Sequence, residues 1–445
     1  FLYECGLQPH DWMPASNATF KHGVMLEGWN DDPYFVDNDD PVNYLATPDL
    51  FANKAFANKT YQEFLDWYPA YQLAKNNKSP KLTKDMDCNF NTGDEGFGAV
   101  HFDAYKIIDA IKSKIISRIT YVDTNIVDIG TDVNGISYLK DENGVNYEAD
   151  LYMDCTGFES LLLEQKLEQQ FISFKPWLPN DRAVALQTQY TNPEEECHPY
   201  TKATAMDAGW RWTIPVYDRI GNGYCYSSDY ITPEQAEAEL REAVGEYDAP
   251  AKHLEMKCGT HQAVAHKNVL AVGLAGGFVE PLEATGITFT TSTIRNFAHF
   301  IGMANGEWND DVRGAINQSF YEMNIEILSF IFGHYFFSNK KGTPYWDNIR
   351  SKTLKDLPDD CINVFNAYYP YPKPIMFLTR QSMFSSVQWW SMIQAGGGYI
   401  DPEKNTPKED EYLNYFVESK RRQTELALDL FPNHYKFLSN WYEGK

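Results

Sequence analysis

Val269-Leu270-Ala271-Val272-Gly273-Leu274-Ala275-Gly276-Gly277-Phe278-Val279-Glu280-Pro281-Leu282-Glu283-Ala284-Thr285-Gly286-Ile287 is the stretch on which the fold of this chain turns. Its apolar start, bounded by glycines, reads as a buried strand, and Ile287, Ile294, Phe297 and Ile301 then keep a helical period. The stretch is therefore a strand, a glycine-rich turn and a helix. Glycines let the backbone approach a ligand closely, and the amides at a helix start face an anion. That order of elements places a cofactor or anion at the C-terminal end of a strand in an open α/β sheet. Pro281 fixes its own φ and pushes Glu280 toward an extended conformation, so the helix starts later and Glu283 sits in a constrained loop. A single loop glutamate is ordinarily a solvated charge. Its company here, an apolar strand and two glycine clusters, points instead to chemistry.

A length of 445 residues exceeds what one core usually holds, so a large two-part enzyme or two to three domains is expected. A formal net charge of −24 without a basic cluster excludes nucleic acid and anionic membrane as natural partners and favours a small-molecule substrate. The seven cysteines (Cys5, Cys88, Cys155, Cys197, Cys225, Cys258 and Cys361) include no C-x-x-C pair. That scatter speaks against a disulfide scaffold or a metal site and for a reducing, cytoplasmic setting. No apolar run has the length of a membrane span.

Along the chain, Ser16 to Trp29 alternates Phe20, Val24 and Leu26 against Lys21 and Glu27 and reads as one strand, with Lys21 by itself a solvated charge on the polar face. Residues 31–48 read as loop leading to a helical region through Phe51, Phe64 and Leu65, and 92–98 as a glycine-bearing turn. His101 to Ile116 has a helical apolar period. Ile119–Val122, Asn125–Gly130, Gly135–Lys140 and Val145–Tyr152 read as a β-meander with tight turns at Asn134-Gly135 and Asn143-Gly144. It runs into Asp154-Cys155-Thr156-Gly157-Phe158, a second glycine turn at which backbone can meet a cofactor. Residues 185–230 read as further strands. Among them Trp210-Arg211-Trp212-Thr213-Ile214-Pro215 puts both indoles on one face, either a flat wall for a planar ring or a sheet surface covered by packing. Beyond Ala304 helices dominate: Val312–Phe332 ending near Gly333, a Pro- and Tyr-rich connector at 368–374, and a last helix over about 409–430. The aromatics there, Tyr345-Trp346 and Trp389-Trp390, suit either an aromatic substrate pocket or an aromatic core.

Three separated motifs, Asn17-Ala18-Thr19-Phe20-Lys21, Trp210-Arg211-Trp212-Thr213-Ile214-Pro215 and Phe278-Val279-Glu280-Pro281-Leu282-Glu283-Ala284-Thr285-Gly286, together resemble the flavin-dependent tryptophan halogenase family. The similarity extends through His101-Phe102-Asp103, Asp154 to Phe158, His334-Tyr335 and Thr343-Pro344-Tyr345-Trp346. It implies an α/β (α+β) fold: a flavin-monooxygenase-like FAD-binding domain with mixed sheets over residues 1–304, joined to a mostly helical substrate-binding region over 305–445. The first strand and its G-x-G-x-x-G fingerprint, expected ahead of Lys21, do not occur in this sequence.

The resemblance further implies a halogenase that takes FAD as FADH2 from a separate flavin reductase. With O2 and halide (chloride, bromide or iodide) it makes hypohalous acid, which is passed to a catalytic lysine for halogenation of an electron-rich aromatic small molecule. Lys21 and Glu283 match the catalytic pair. Leu274, Gly276, Gly277, Phe278, Pro281, Ile287, Trp210, Trp212, Ile214, Pro215, Thr156, Gly157 and Ile126 are expected at the flavin, and Thr285 and Gly286 at the halide. Tyr345, Trp346, Trp389 and Trp390 are expected at the organic substrate. No metal, nucleic acid or membrane enters this scheme, and a homo-oligomer stays open. The chemistry suits the residue types: an ammonium can hydrogen-bond hypohalous acid, a desolvated lysine can be halogenated as the amine, and a positioned carboxylate can take the ring proton. Ala284 stands where the family motif usually has serine, and the loop after Lys21 lacks a close counterpart of the family's indole-holding segment. Two rivals remain at this level: a flavin monooxygenase that hydroxylates, told apart by halide dependence, and a non-catalytic aromatic-rich binding protein, told apart by flavin titration.

Overall fold

The computed structural model describes residues 2, 4–38, 61–82, 99–245, 248–369, 383–398 and 411–444; the expected turn at 92–98, Phe51, and most of the 31–48 loop and the 368–374 connector lie outside these. In chain order the elements begin α1 (Pro9–Ala15), β1 (Thr19–Lys21), β2 (Gly23–Glu27), β3 (Tyr34–Asp37), α2 (Tyr61–Leu65), α3 (Pro69–Lys75), β4 (Ala99–His101) and α4 (Ala104–Ile115). Then come β5 (Ile126–Asp132), β6 (Gly135–Asp141), β7 (Asn146–Tyr147), β8 (Tyr152–Asp154), β9 (Phe171–Ser173), β10 (Arg182–Thr188), α5 (Pro193–Glu196), β11 (Thr201–Met206), β12 (Gly209–Val216) and β13 (Arg219–Tyr226). They continue with α6 (Pro233–Ala243), β14 (Lys252–Glu255), β15 (Gly259–His261), β16 (Ala265–His266), β17 (Val269–Ala271), β18 (Gly277–Phe278) and α7 (Gly286–Met303). Helices α8 (Asp310–Phe337), α9 (Pro344–Arg350), α10 (Asp359–Tyr368), α11 (Ser386–Ala395), α12 (Glu411–Leu430) and α13 (His434–Tyr442) close the chain. Mixed sheets and many helices make the fold α/β.

Two compact units alternate along the sequence, one made of residues 116–181 and 255–332, the other of 2–115, 182–254 and 333–445. Division by compactness thus cuts across the boundary at 304, which follows the change in residue texture.

In the first unit, β5, β6 and β7 form the expected meander, but Ile119–Val122 is irregular and exposed rather than a strand. β8 leaves the meander and pairs in parallel with β17, Tyr152 opposite Val269 and Asp154 opposite Ala271, while β16 flanks β17 antiparallel. Val269, Leu270 and Ala271 are fully buried, as expected of a parallel strand covered on both faces. The two glycine turns read from the sequence therefore leave neighbouring parallel strands at the same end. Gly277 and Phe278, expected within the turn, instead form β18 and pair with β15, which pairs in turn with β9.

In the second unit a seven-stranded sheet runs β14-β10-β13-β12-β11-β2-β3, and β1 pairs with β4 in a separate two-stranded ladder. The expected single strand from Ser16 to Trp29 is therefore split at His22 into β1 and β2, which join different sheets. His101 ends β4 rather than starting a helix; α4 begins after Asp103, whose Oδ1 accepts from the N–H groups of Tyr105 at 3.0 Å and Lys106 at 3.3 Å. α8 runs through Gly333 to Phe337 instead of ending there. A Cβ at Gly333 would lie 2.5 Å from Met392 Cε, so α11 packs directly on that backbone. The burial of Phe330, Ile331, Phe332, Tyr335 and Phe337 outweighs the roughly 1 kcal/mol that glycine costs a helix. α13, unforeseen in the sequence, starts where the Asn433 side chain accepts from Lys436 N–H at 3.1 Å.

Candidate active site

The first unit carries the glycine-rich turn. Asp154, fully buried at the end of β8, accepts from Thr156 N–H (3.1 Å) and Oγ1 (2.6 Å), and from the N–H groups of Leu162 and Leu163 at 2.9 Å each. One carboxylate thus shapes the Thr156-Gly157 turn and caps the short helical segment Leu161–Lys166. Ser160 Oγ donates to the Ala275 carbonyl at 2.9 Å, and the Phe158 and Phe278 rings meet edge-on at 5.5 Å. These contacts lock the two turns together.

Above them lies a cavity of about 300 Å³ lined by Gly273, Leu274, Gly277, Phe278, Thr285 and Ile287, among others. Leu274 and Ile287 are large apolar side chains left exposed on its wall, and Gly286, at the start of the 18-residue α7, also faces it. Nothing lies within 4 Å of a Cβ built at Gly286. The first amides of α7 have no acceptor within the helix, so the cavity offers an apolar shelf beside free N–H donors. That donor set fits a flat, partly anionic heteroaromatic ring. Gly276 and Pro281 adjoin the lining residues without being among them, and Ile126, opening β5, is not among them either.

Glu283 ends a 3₁₀ turn, Pro281–Glu283, and is 6 % exposed, so the solvated loop carboxylate expected of a lone glutamate does not occur. Ala284 follows in the left-handed region at φ 54°, which reverses the chain before Thr285 takes the N-cap position of α7. Thr285 is buried as well.

The second unit carries the lysine. Lys21 lies opposite Ala99 in the β1–β4 ladder and is only 5 % exposed, which corrects its reading as a solvated charge. Its strand is pinned from both sides. Thr19 Oγ1 donates to the Pro215 carbonyl at 2.7 Å, His101 Nδ1 lies 3.1 Å from the same oxygen, and His101 Nε2 lies 2.9 Å from Thr201 Oγ1. Tyr217 N–H donates to the Asn17 carbonyl at 2.9 Å. The lysine motif, the His101 motif and the end of the two-tryptophan motif are thus one hydrogen-bonded assembly. On the other side Phe20 N–H donates to His434 Nε2 at 3.1 Å.

These histidines are kept neutral. Burial, with the nearby Lys21 charge adding to it, holds His101 well below the usual imidazole range. Burial pushes His22 down to about 4 and His434 to about 3, each only partly offset by a backbone carbonyl, of Lys78 and Cys197 respectively. Sequence spacing gave no sign of His434, because it arrives from α13 at the far end of the chain.

On β12, Trp210 is buried and Trp212 half-buried, their rings 6.1 Å apart at 60°, and Ile214 and Pro215 follow on the same strand. Gly223 lies opposite Trp212; a Cβ there would fall 1.9 Å from the indole, which lies flat across the glycine. Of the four aromatics expected at the organic substrate, Tyr345 lines a second cavity of about 480 Å³ together with Tyr230. The others pack internally. Trp346 donates from Nε1 to the Met206 carbonyl at 2.7 Å, Trp389 stacks on Tyr368 at 4.7 Å, and Trp390 meets Phe64 at 4.8 Å. Among the described residues no helix is long and apolar enough to cross a membrane, and no group of three metal-binding side chains converges.

A family model described as tryptophan halogenase matches residues 1–411. The chain is 29% identical to the 7-chloro-L-tryptophan 6-halogenase KtzR of Kutzneria sp. (strain 744), over 99% of this chain and 89% of the relative. It is 32% identical to the tryptophan 6-halogenase SttH of Streptomyces toxytricini, over 82% and 76%. The crystal structure of SttH superposes with a TM-score of 0.85, covering 98% of this chain and 89% of that one at 26% identity. Tar14, a tryptophan C-6 flavin-dependent chlorinase from taromycin biosynthesis, gives 0.83, covering 99% and 89% at 28% identity.

Proposed function

The chain belongs to the tryptophan halogenase family and is a flavin-dependent halogenase, and from that premise we propose that it halogenates an electron-rich aromatic ring, the indole of tryptophan or of a related compound, with Lys21 and Glu283 as its catalytic residues. Bound as FADH2, the flavin supplies the electrons with which O2 is activated for oxidation of halide to hypohalous acid. Gly273, Leu274, Gly277, Phe278 and Ile287 would hold the ring of that flavin, and the α7 amides at Thr285 and Gly286 would take the halide; Thr156, Gly157, Gly276, Pro281 and Ile126 are assigned to the flavin on the family resemblance. On the family resemblance, the motif of Trp210, Trp212, Ile214 and Pro215 would serve to screen flavin from organic substrate.

The observation that carries this reading is the burial of Lys21 on a strand whose flanking backbone is held by neutral rings. Burying a lysine costs several kcal/mol unless its charge is paired, used or shed, whereas an exposed lysine on a surface strand carries no such cost. At this position the side chain presents the halogen of X–OH to the ring. Attack of the ring carbon forms the C–X bond and breaks the X–O bond, the oxygen leaving as water with a proton from the Lys21 ammonium, and Glu283 takes the proton from the cationic ring. Trp346, Trp389 and Trp390 act by holding the aromatic core in place, while Tyr345 borders open space.

Incubation with FAD, a flavin reductase, O2 and each halide in turn, against tryptophan and a panel of indoles and phenols read by mass spectrometry, tests this. A halogenated product that changes with the halide supplied is expected. Hydroxylated product formed without halide would replace the reading with a monooxygenase.

A further inference from the structure

We propose that His261 is a buried imidazolium that positions the Gly276–Gly277 turn and sets a fixed positive charge behind the flavin cavity, with Glu164 and Lys257 as its supports. The inference rests on reading the cavity at Gly273–Ile287 as the flavin site. It concerns residues outside every motif named above.

The His261 backbone N–H and its ring Nδ1 both lie 3.1 Å from the Gly276 carbonyl oxygen, and Nε2 lies 2.9 Å from Glu164 Oε2. A carbonyl oxygen can only accept. Glu164 is ionised: its own burial would raise it, but hydrogen bonds from Lys257 and His261 hold it below the usual carboxylate range, with Lys257 Nζ 2.5 Å from both oxygens. An ionised carboxylate also only accepts. An imidazole whose two nitrogens each face an acceptor carries hydrogen on both, and so carries charge. A neutral tautomer would set a lone pair against a lone pair in a site where the ring is 2 % exposed.

The surroundings are built for that cation. Glu164 comes from the Leu161–Lys166 segment, which Asp154 caps, and Lys257 from the residues ahead of β15. Phe171 of β9 meets the His261 ring edge-on at 5.2 Å, and Lys257 lies 4.3 Å over the face of Phe171. Within this triad, one anion between two cations leaves a net positive charge. Thr260 pairs with Gly277, which lines the cavity, so this charge sits on the strand directly backing the turn.

Reduction of an isoalloxazine yields an anionic ring at neutral pH, and nearby charge is one of the levers by which a protein tunes it. A cation fixed behind the turn therefore favours reduced over oxidised flavin, the form a halogenase must hold when O2 arrives. Lys21 and Glu283 are not involved.

The test has two readouts on the full chain. Nitrogen-15 imidazole spectra without flavin should show His261, assigned by its loss in His261→Gln, with hydrogen on both nitrogens at neutral pH, and Glu164→Gln should return the ring to the singly protonated form. A bare nitrogen on wild-type His261 overturns the proposal. Anaerobic titrations of oxidised and reduced FAD then compare wild type, His261→Gln and Glu164→Gln. Reduced FAD should weaken about tenfold more than oxidised FAD, equal to about 30 mV for a two-electron couple. Equal weakening of both forms would mean a structural role only and overturns the charge role; Glu164→Gln, which leaves the ring in place, gives this answer even should His261→Gln fold poorly. Leu274→Trp, which fills the cavity, separates the underlying reading: unchanged FAD affinity there, with His261 still cationic, places the flavin elsewhere and removes the ligand from the proposal.

Discussion

The backbone N–H of Phe20 donates to Nε2 of His434 at 3.1 Å across a separation of 414 residues, so the position before Lys21 is held by a side chain from α13. Nδ1 of the same ring lies 3.0 Å from the Cys197 carbonyl and must carry the hydrogen, which leaves Nε2 free to accept. His434→Ala removes that acceptor and a buried ring packed 6.1 Å from Phe20. A loss of about 2–4 kcal/mol is expected in thermal or denaturant unfolding. Among molecules that remain folded, product per O2 consumed should fall several-fold, with His434→Gln recovering part of it. Wild-type coupling in His434→Ala would show that the lysine does not depend on this clamp.

Lys21 and Glu283 should fail differently. Lys21→Ala is expected to abolish halogenated product while flavin oxidation and hydrogen peroxide formation continue, because reoxidation of reduced flavin by O2 needs no lysine. Glu283→Gln should slow halogenation by roughly 10²- to 10⁴-fold, the range for a lost general base. Product and peroxide are measured separately in both variants. Wild-type halogenation by Lys21→Ala would mean that free hypohalous acid does the work in solvent.

The paired indoles carry a third expectation. If Trp210 and Trp212 wall the flavin, Ala at either position should loosen FAD or divert turnover to peroxide. The two variants should not be equal: Trp212 lies over Gly223 and is half-buried, so Trp212→Ala is expected to cost less stability than removal of the buried Trp210. Unchanged FAD affinity and coupling in both would assign the pair to packing alone.

Acid should destabilise the protein through its buried neutral histidines. In the unfolded chain His22 and His434 take up protons near the ordinary imidazole value of 6.5, whereas burial delays this in the fold to about 4 and about 3. The unfolded state therefore binds more protons in that window, and stability present above about pH 6.5 is lost as pH falls toward the folded values. Melting temperatures followed from pH 7.5 to 4.5 should decline, and His22→Gln should flatten the decline. A slope unchanged in that variant would place the acid sensitivity in other groups.

The local chemistry of this chain was legible in its residues. Glycines at 273, 276 and 277, Pro281 before Glu283, and the period from Ile287 gave a strand, a turn and a helix, and the structure has β17, that turn and α7 in this order. Three spaced motifs were enough to indicate the family. Periodicity also misled where packing outweighed propensity: α8 passes through Gly333 because Met392 packs against its bare backbone, and the run Ile119–Val122 is irregular and exposed, with no strand partner among the described residues.

Burial and long-range pairing were decided only by the tertiary structure. Alternation assigned Lys21 to a polar face, but whether a face is wet depends on what covers it, and here β4, Pro215 and α13 close around its strand. The parallel pairing of β8 with β17, which brings both glycine turns to one end, joins strands more than a hundred residues apart in sequence. The protonation of His261 follows from two acceptors, Gly276 and Glu164, that only the folded chain sets against one ring. Sequence fixes which groups can donate, accept or carry charge; their states depend on neighbours that arrive through space, because desolvation and hydrogen bonding act over a few ångströms and take no account of chain separation.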